Sequence, residues 1–149
     1  ELGVTGVMAA ELFETPGRGP GFLINELAMR PHNSGHWTMD GSVTGQFEQH
    51  LRAVLGLPLG STALLGGVAV MKNFLGAENP DLYLGTRLAL AAEPAAKVHN
   101  YGKTVRPGRK VGHVNVVGAA AADLPAVRRS AERAAAIIRD GREPNEEKA

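Results

Sequence analysis

Residues 4–13 and 22–30 are largely apolar with few polar interruptions and both read as strands. TPGRGPG lies between them and predicts a turn, so the pair reads as a hairpin. Over 42–55 the period becomes helical, with Val43, Phe47, Leu51 and Val54 on one stripe and Ser42 or Thr44 as N-cap; LPLG ends it. Ala63–Leu75 is apolar and partly β-branched and predicts a buried strand. Pro80–Ala92 predicts a short helix with Leu84, Leu88 and Ala91 inward. Lys97–Lys103 and Lys110–Val117 predict strands around TVRPGR. Leu124–Asp140 carries the clearest helical stripe, Val127, Ala131, Ala134 and Ile138, with Asp123 as its cap. The charged tail GREPNEEKA is expected to fray. No internal repeat is visible. The pattern as a whole gives an α+β fold of antiparallel hairpins with helices to one side.

A chain of 149 residues, 44% apolar, is long enough for a real core. Its net charge of +1 favours no class of partner. It has no cysteine, which excludes disulfides and thiolate zinc sites and agrees with a reducing, cytoplasmic setting. Ala63–Met71, the longest apolar run, is too short and too glycine-rich to span a bilayer, so no membrane role is expected. ELGVTGVMAAELF has no basic leader and does not read as a signal peptide. It also lacks an initiator Met, which raises the expectation of a piece of a larger protein.

Candidate chemistry starts with the hairpin. A loop symmetric about Arg18 and Gly19 sets Phe13 opposite Ile24, Glu11 opposite Glu26 and Ala9 opposite Ala28, all on one face. Directly opposed side chains stand ~5 Å apart, where like charges destabilise. A shared proton or a hard cation such as Mg²⁺ or Mn²⁺ would compensate; so would a bulge that turns one glutamate to solvent. Arg30 falls on the same face, where it can meet an anion beside a metal. Pro31 stops the ladder, and His32, Asn33 and Ser34 follow at once, with amides near Gly35 as an anion nest. The alternative for this loop is a polar turn capping the next helix; Arg30, His32, Asn33 and Ser34, nearly consecutive after a carboxylate pair, favour a small-anion site. Near the end, Lys103, Arg106, Arg109 and Lys110 crowd one loop. Seven aromatic residues and almost no net charge offer no stacking platform or basic stripe, so a phosphate on a small molecule is the better match than nucleic acid.

GVMAAELFET, FLINELAMRPHNSGHWTMDGSVTGQFEQHLRAVLGLPLG and KVHNYGKTVRPGRKVGHVNV together resemble the C-terminal part of the N5-carboxyaminoimidazole ribonucleotide synthases, ATP-grasp enzymes of purine biosynthesis. The resemblance runs from about residue 3 to about residue 140. It implies the second half of an ATP-grasp fold over 1–78 and a small C-terminal strand and helix domain over 79–149, with the seam near 76–80. It also implies ATP-dependent carboxylation of 5-aminoimidazole ribonucleotide by bicarbonate, through carboxyphosphate. Carried over by residue, Glu11 and Glu26 would hold magnesium, Asn25 and Glu26 would border the ATP phosphates, and Arg30 would stabilise the carboxyphosphate. His32, Asn33 and Ser34 would line the bicarbonate and ribonucleotide pocket. Lys103, Arg109 and Lys110 would hold the ribonucleotide phosphate and the carboxylating end.

The chain departs from the family at Ala10, where Val is usual, and at Gly45, where Ser is common. It also lacks the family's N-terminal half, which carries the adenine pocket, so the piece alone is expected to be inactive. Family members are often dimers, and Phe47–Leu57 is a possible interface. Two other readings stay open: a ligase like formate-dependent glycinamide ribonucleotide transformylase, which tends to carry Asp and Thr where Asn33 and Ser34 stand here, and a non-catalytic ribonucleotide-binding or assembly module.

Overall fold

A computed structural model describes residues 3–143. By contacts the chain forms two compact units, Glu1–Ala63 and Leu64–Ala149. The division falls before the seam expected near 76–80, because the strand Val68–Leu75 pairs along its whole length inside the second unit.

The first unit opens with the antiparallel hairpin of β1 (Ala9–Glu14) and β2 (Phe22–Ala28). Val4–Met8, expected to begin the strand, stays outside it. The loop closes through Thr15 N–H to the Gly21 carbonyl (2.8 Å) and Gly21 N–H to the Arg18 carbonyl (3.0 Å). Gly17, Gly19 and Gly21 all take positive φ there, which no other residue type adopts as readily. Ala9 pairs with Ala28 and Glu11 with Glu26, as the symmetric loop requires. Beyond Glu11 the register slips, and Phe13 faces Leu23 instead of Ile24. Asn25 is the extra residue of this bulge, a feature that bends a strand and re-aims its neighbours.

A 3₁₀ turn (Asn33–Gly35), α1 (Thr38–Gly41) and α2 (Gln46–Val54) complete the unit. One expectation fails at α2. Neither Ser42 nor Thr44 caps it: Gly45 holds the cap position, and Thr38 Oγ1 accepts the Gln46 N–H at 2.9 Å. The apolar stripe points outward, with Val43, Phe47, Leu51 and Val54 all exposed. The inward side is polar, because Gln46, Gln49 and His50 each bond the backbone of another segment.

The second unit is a three-stranded antiparallel sheet in the order β3 (Val68–Leu75), β5 (Lys110–Gly118), β4 (Lys97–Asn100). Helix α4 (Leu124–Asp140) packs on β3 and β5 and against α3 (Leu82–Ala92). Phe74, Val114, Val116, Val127, Ile137 and Ile138 lead the core. All four expected stripe residues of α4 are buried. Asp123 holds the cap position of α4, as expected, but its side chain makes no bond to that helix; its carboxylate accepts the Ala120 N–H (2.9 Å) and closes the preceding turn. Helix α3 is capped by Asp81, which accepts the Leu84 N–H at 3.0 Å. It buries Leu82, Gly85 and Ala89, whereas Leu84 and Ala91 face out. The rotation follows from size, since a Cβ on Gly85 would sit 2.6 Å from the Ile138 carbonyl oxygen. Strand β4 stops at Asn100, whose Oδ1 takes the Gly102 N–H (2.9 Å) in a tight turn, short of the expected Lys103. Among the described residues, no helix is long and apolar enough to cross a membrane.

Gly85→Ala is expected to push α3 off α4 and destabilise the second unit by about 1–3 kcal/mol, the cost of overpacking. A lowered urea midpoint with an unchanged slope would show it.

Candidate functional site

Glu11 and Glu26 face each other across the hairpin at its last regular pair before the bulge. Their side chains are half exposed, at 48% and 44%. Two groups offset their repulsion. Arg30 Nη2 donates to Glu26 Oε1 at 3.0 Å, and its Nη1 donates to the Pro31 carbonyl at 3.2 Å. The His32 ring is the second: its Nε2 stands 3.6 Å from Glu26 Oε1 and 3.9 Å from Glu11 Oε2. Only 13% of that side chain is exposed, so the pair has an almost buried imidazole on one side and open solvent on the other.

Ser34 orients the ring. Its backbone N–H donates to His32 Nδ1 (3.4 Å), and its hydroxyl lies 2.9 Å from the same atom. With Nδ1 accepting, the proton of the neutral ring sits on Nε2, the atom that faces the carboxylates. Asn33 opens the 3₁₀ turn, and its carbonyl accepts the His36 N–H at 3.2 Å. Asn25 is the exposed bulge residue next to Glu26. One segment and one hairpin thus assemble Glu11, Glu26, Arg30, His32 and Ser34 as the sequence grouped them.

Gln46 was not foreseen. It is buried on α2 and bonds both the N–H and the carbonyl of His32, at 2.9 and 2.8 Å. The only signal in the sequence was a polar residue beside an apolar helical stripe, which ordinarily marks a solvent face.

In the second unit the basic loop between β4 and β5 is tied back to the end of β3. Gly76 N–H donates to the Arg109 carbonyl (2.8 Å), and Gly108 N–H to the Gly76 carbonyl (2.9 Å). Arg109 Nη1 donates to the Thr104 carbonyl at 3.3 Å. Lys103, Arg106, Arg109 and Lys110 are all exposed. Lys103 Nζ lies over the Tyr101 ring, 5.3 Å from its centre, within cation–π range. The Tyr101 hydroxyl meets His113 Nδ1 at 2.8 Å, and His113 stacks on His99 with centres 4.5 Å apart. Burial raises the Tyr101 pKa above its ordinary value, opposed in part by a hydrogen bond with Asn73. This aromatic row was also missed; it depends on cross-strand register, which sets Asn73, His113 and His99 side by side.

Two families match parts of the chain. Residues 1–47 match the ATP-grasp domain, and residues 69–126 match the phosphoribosylaminoimidazole carboxylase C-terminal domain. The expected order, an ATP-grasp part followed by a small C-terminal domain, is the order matched. The N5-carboxyaminoimidazole ribonucleotide synthase of Mycobacterium tuberculosis (strain CDC 1551 / Oshkosh) is 58% identical over 127 residues, covering 83% of this chain and 29% of that protein. The synthase of Corynebacterium ammoniagenes is 52% identical over 142 residues, covering 93% of this chain and 34% of that protein. The chain therefore spans about a third of the length of these relatives. Among solved structures, the synthetase of Thermotoga maritima is similar with a TM-score of 0.71 at 44% identity, over 89% of this chain and 36% of that one. The Aspergillus clavatus synthase, solved with ADP and 5-aminoimidazole ribonucleotide, gives 0.72 at 30% identity, over 89% and 35%.

The chain has two tyrosines, so Tyr83→Phe isolates Tyr101. Its ultraviolet titration is expected to have a midpoint above 10.0, the ordinary tyrosine value. The unfolded chain then ionises first, so this residue's contribution lowers stability as pH rises past the unfolded pKa. A midpoint at or below the ordinary value would contradict the buried placement.

Proposed function

Because the chain belongs to the N5-carboxyaminoimidazole ribonucleotide synthase family, we propose that it is the C-terminal portion of an ATP-dependent ligase of purine biosynthesis. In the proposed reaction ATP phosphorylates bicarbonate, and the exocyclic amine of 5-aminoimidazole ribonucleotide takes up the carboxyl group with release of ADP and phosphate. A C–N bond forms as the carboxyl–phosphate bond breaks. The observation that carries the reading is the opposed pair Glu11 and Glu26 with Arg30 beside it.

The pair suits magnesium or manganese. Two half-exposed carboxylates on one face are hard donors, and among the described residues no group of three or more His, Cys, Asp or Glu makes a closed metal cage. Mg²⁺ takes one or two carboxylates and completes its shell with water and phosphate oxygens. Bound there, it would neutralise charge on the ATP phosphates. Asn25, aimed by the bulge, borders those phosphates with Glu26. Arg30 is 60% exposed and is the cation that can leave Glu26 for a transferring phosphoryl group. His32, Asn33 and Ser34 line the bicarbonate and ribonucleotide pocket. Lys103, Arg109 and Lys110 grip the ribonucleotide phosphate from a loop anchored at Gly76. ADP and 5-aminoimidazole ribonucleotide bound to the Aspergillus clavatus relative support both ligand assignments. The exposed stripe Phe47, Leu51 and Val54 serves a homodimer, and the setting is cytoplasmic.

This chain alone is expected to release no ADP, since the adenine pocket belongs to the preceding part of the family's fold. In the full-length protein, ADP release with 5-aminoimidazole ribonucleotide is expected to require bicarbonate and not formate. Arg30→Ala there is expected to lower kcat roughly 100-fold to 1,000-fold, as loss of one oriented charge stabiliser does. Stimulation by formate alone would move the protein to the formyl-transferring relatives.

A further inference from the structure

Gln46 treats His32 as a strand would treat a paired residue. Its Oε1 accepts the His32 N–H at 2.9 Å, and its Nε2 donates to the His32 carbonyl at 2.8 Å. The amide has a second N–H, which meets His36 Nδ1 at 2.7 Å. The Gln46 backbone is held by the same loop: Thr38 Oγ1 accepts its N–H at 2.9 Å and donates to the Gly35 carbonyl at 2.6 Å. Gly35 leaves the room required, for a Cβ there would collide with Gln46 Oε1. The described hydrogen bonds of Gln46 go to His32, His36 and Thr38 and not to the acidic pair. What it fixes is the backbone of His32, whose ring faces both carboxylates.

We propose that Gln46 is a positioning residue for the acidic pair. It clamps His32, Ser34 sets the ring's tautomer, and the Nε2–H so presented draws Glu11 and Glu26 together on the side away from solvent. The open side is then shaped to receive one divalent cation. The cation part rests on the function proposed above; the clamp itself does not. Residues that orient a ligand set from behind are typically worth 10–100-fold in metal affinity.

The test uses the whole chain labelled with ¹⁵N. Long-range ¹H–¹⁵N spectra of the imidazoles report the His32 tautomer, with His32→Asn providing the assignment, and Mn²⁺ alone is titrated as the cation probe. Gln46→Glu keeps the size and the acceptor for the His32 N–H but loses both donors; Gln46→Ala loses the whole clamp. Wild type is expected to show the Nε2–H tautomer. Both variants are expected to move His32 towards averaged tautomers and to weaken Mn²⁺ binding about tenfold or more, with the amide spectrum of the rest of the chain unchanged. Should Gln46→Ala unfold, Gln46→Glu decides. An unchanged His32 tautomer in the folded variant overturns the clamp. A changed tautomer with unchanged Mn²⁺ affinity overturns its link to the acidic pair. Glu11→Gln separates the premise: if it leaves Mn²⁺ affinity as in wild type, the metal reading fails, and the tautomer alone still judges Gln46.

Discussion

The first unit depends on polar side chains of one helix standing in for backbone. Gln46, Gln49 and His50 fall at spacings of three and four residues, so they share a face of α2. Gln46 holds His32, Gln49 holds both the N–H and the carbonyl of Gly60, and His50 Nδ1 accepts the Val7 N–H at 3.1 Å. Three irregular segments thus find hydrogen-bond partners that no sheet provides for them. A buried amide left without such partners would cost about 1–3 kcal/mol each, so the polar side of α2 turns inward.

That inversion explains what the unit exposes. With its polar face engaged, α2 leaves Phe47, Leu51 and Val54 outside. The hairpin does the same: Leu12, Phe13, Leu23 and Ile24 are all exposed. A two-stranded hairpin is marginal without something packed on it. Exposed apolar surface of this kind marks an interface, and the relatives are about three times as long as this chain. The second unit is built the ordinary way, with α4 burying its whole stripe on the sheet and a compact core of Val, Ile, Ala and Phe.

Much of this was legible in the residues, and the reasons differ by element. Helix α4 was read to its ends because its stripe is long and its apolar side really is the buried one. The facing of Glu11 and Glu26 followed from a turn centred on Arg18 and Gly19 and strand alternation alone. The slip beyond Glu11 did not follow, since a bulge at Asn25 leaves no mark in a pattern of period two. Helix α3 was read correctly at Leu88, which packs on the core, but not at Leu84 and Ala91, because its packing is set by the smallness of Gly85 and Ala89, to which a hydrophobic stripe is blind.

The sequence by itself determined the chemical inventory: two carboxylates in register, an arginine and a histidine just past them, and a basic loop closed by Pro107 and Gly108. These are local facts, carried by spacing and turn chemistry. The tertiary structure decided how the inventory is aimed. It placed His32 against both carboxylates and assigned its neutral-ring proton to Nε2 through Ser34. It set Lys103 over Tyr101 and Tyr101 against His113. The longer of these contacts depend on which segments meet, and Gln46 reaching fourteen residues back to His32 is the clearest case. Hydrogen bonds of that range leave no periodicity in the chain, so only the folded protein reveals them.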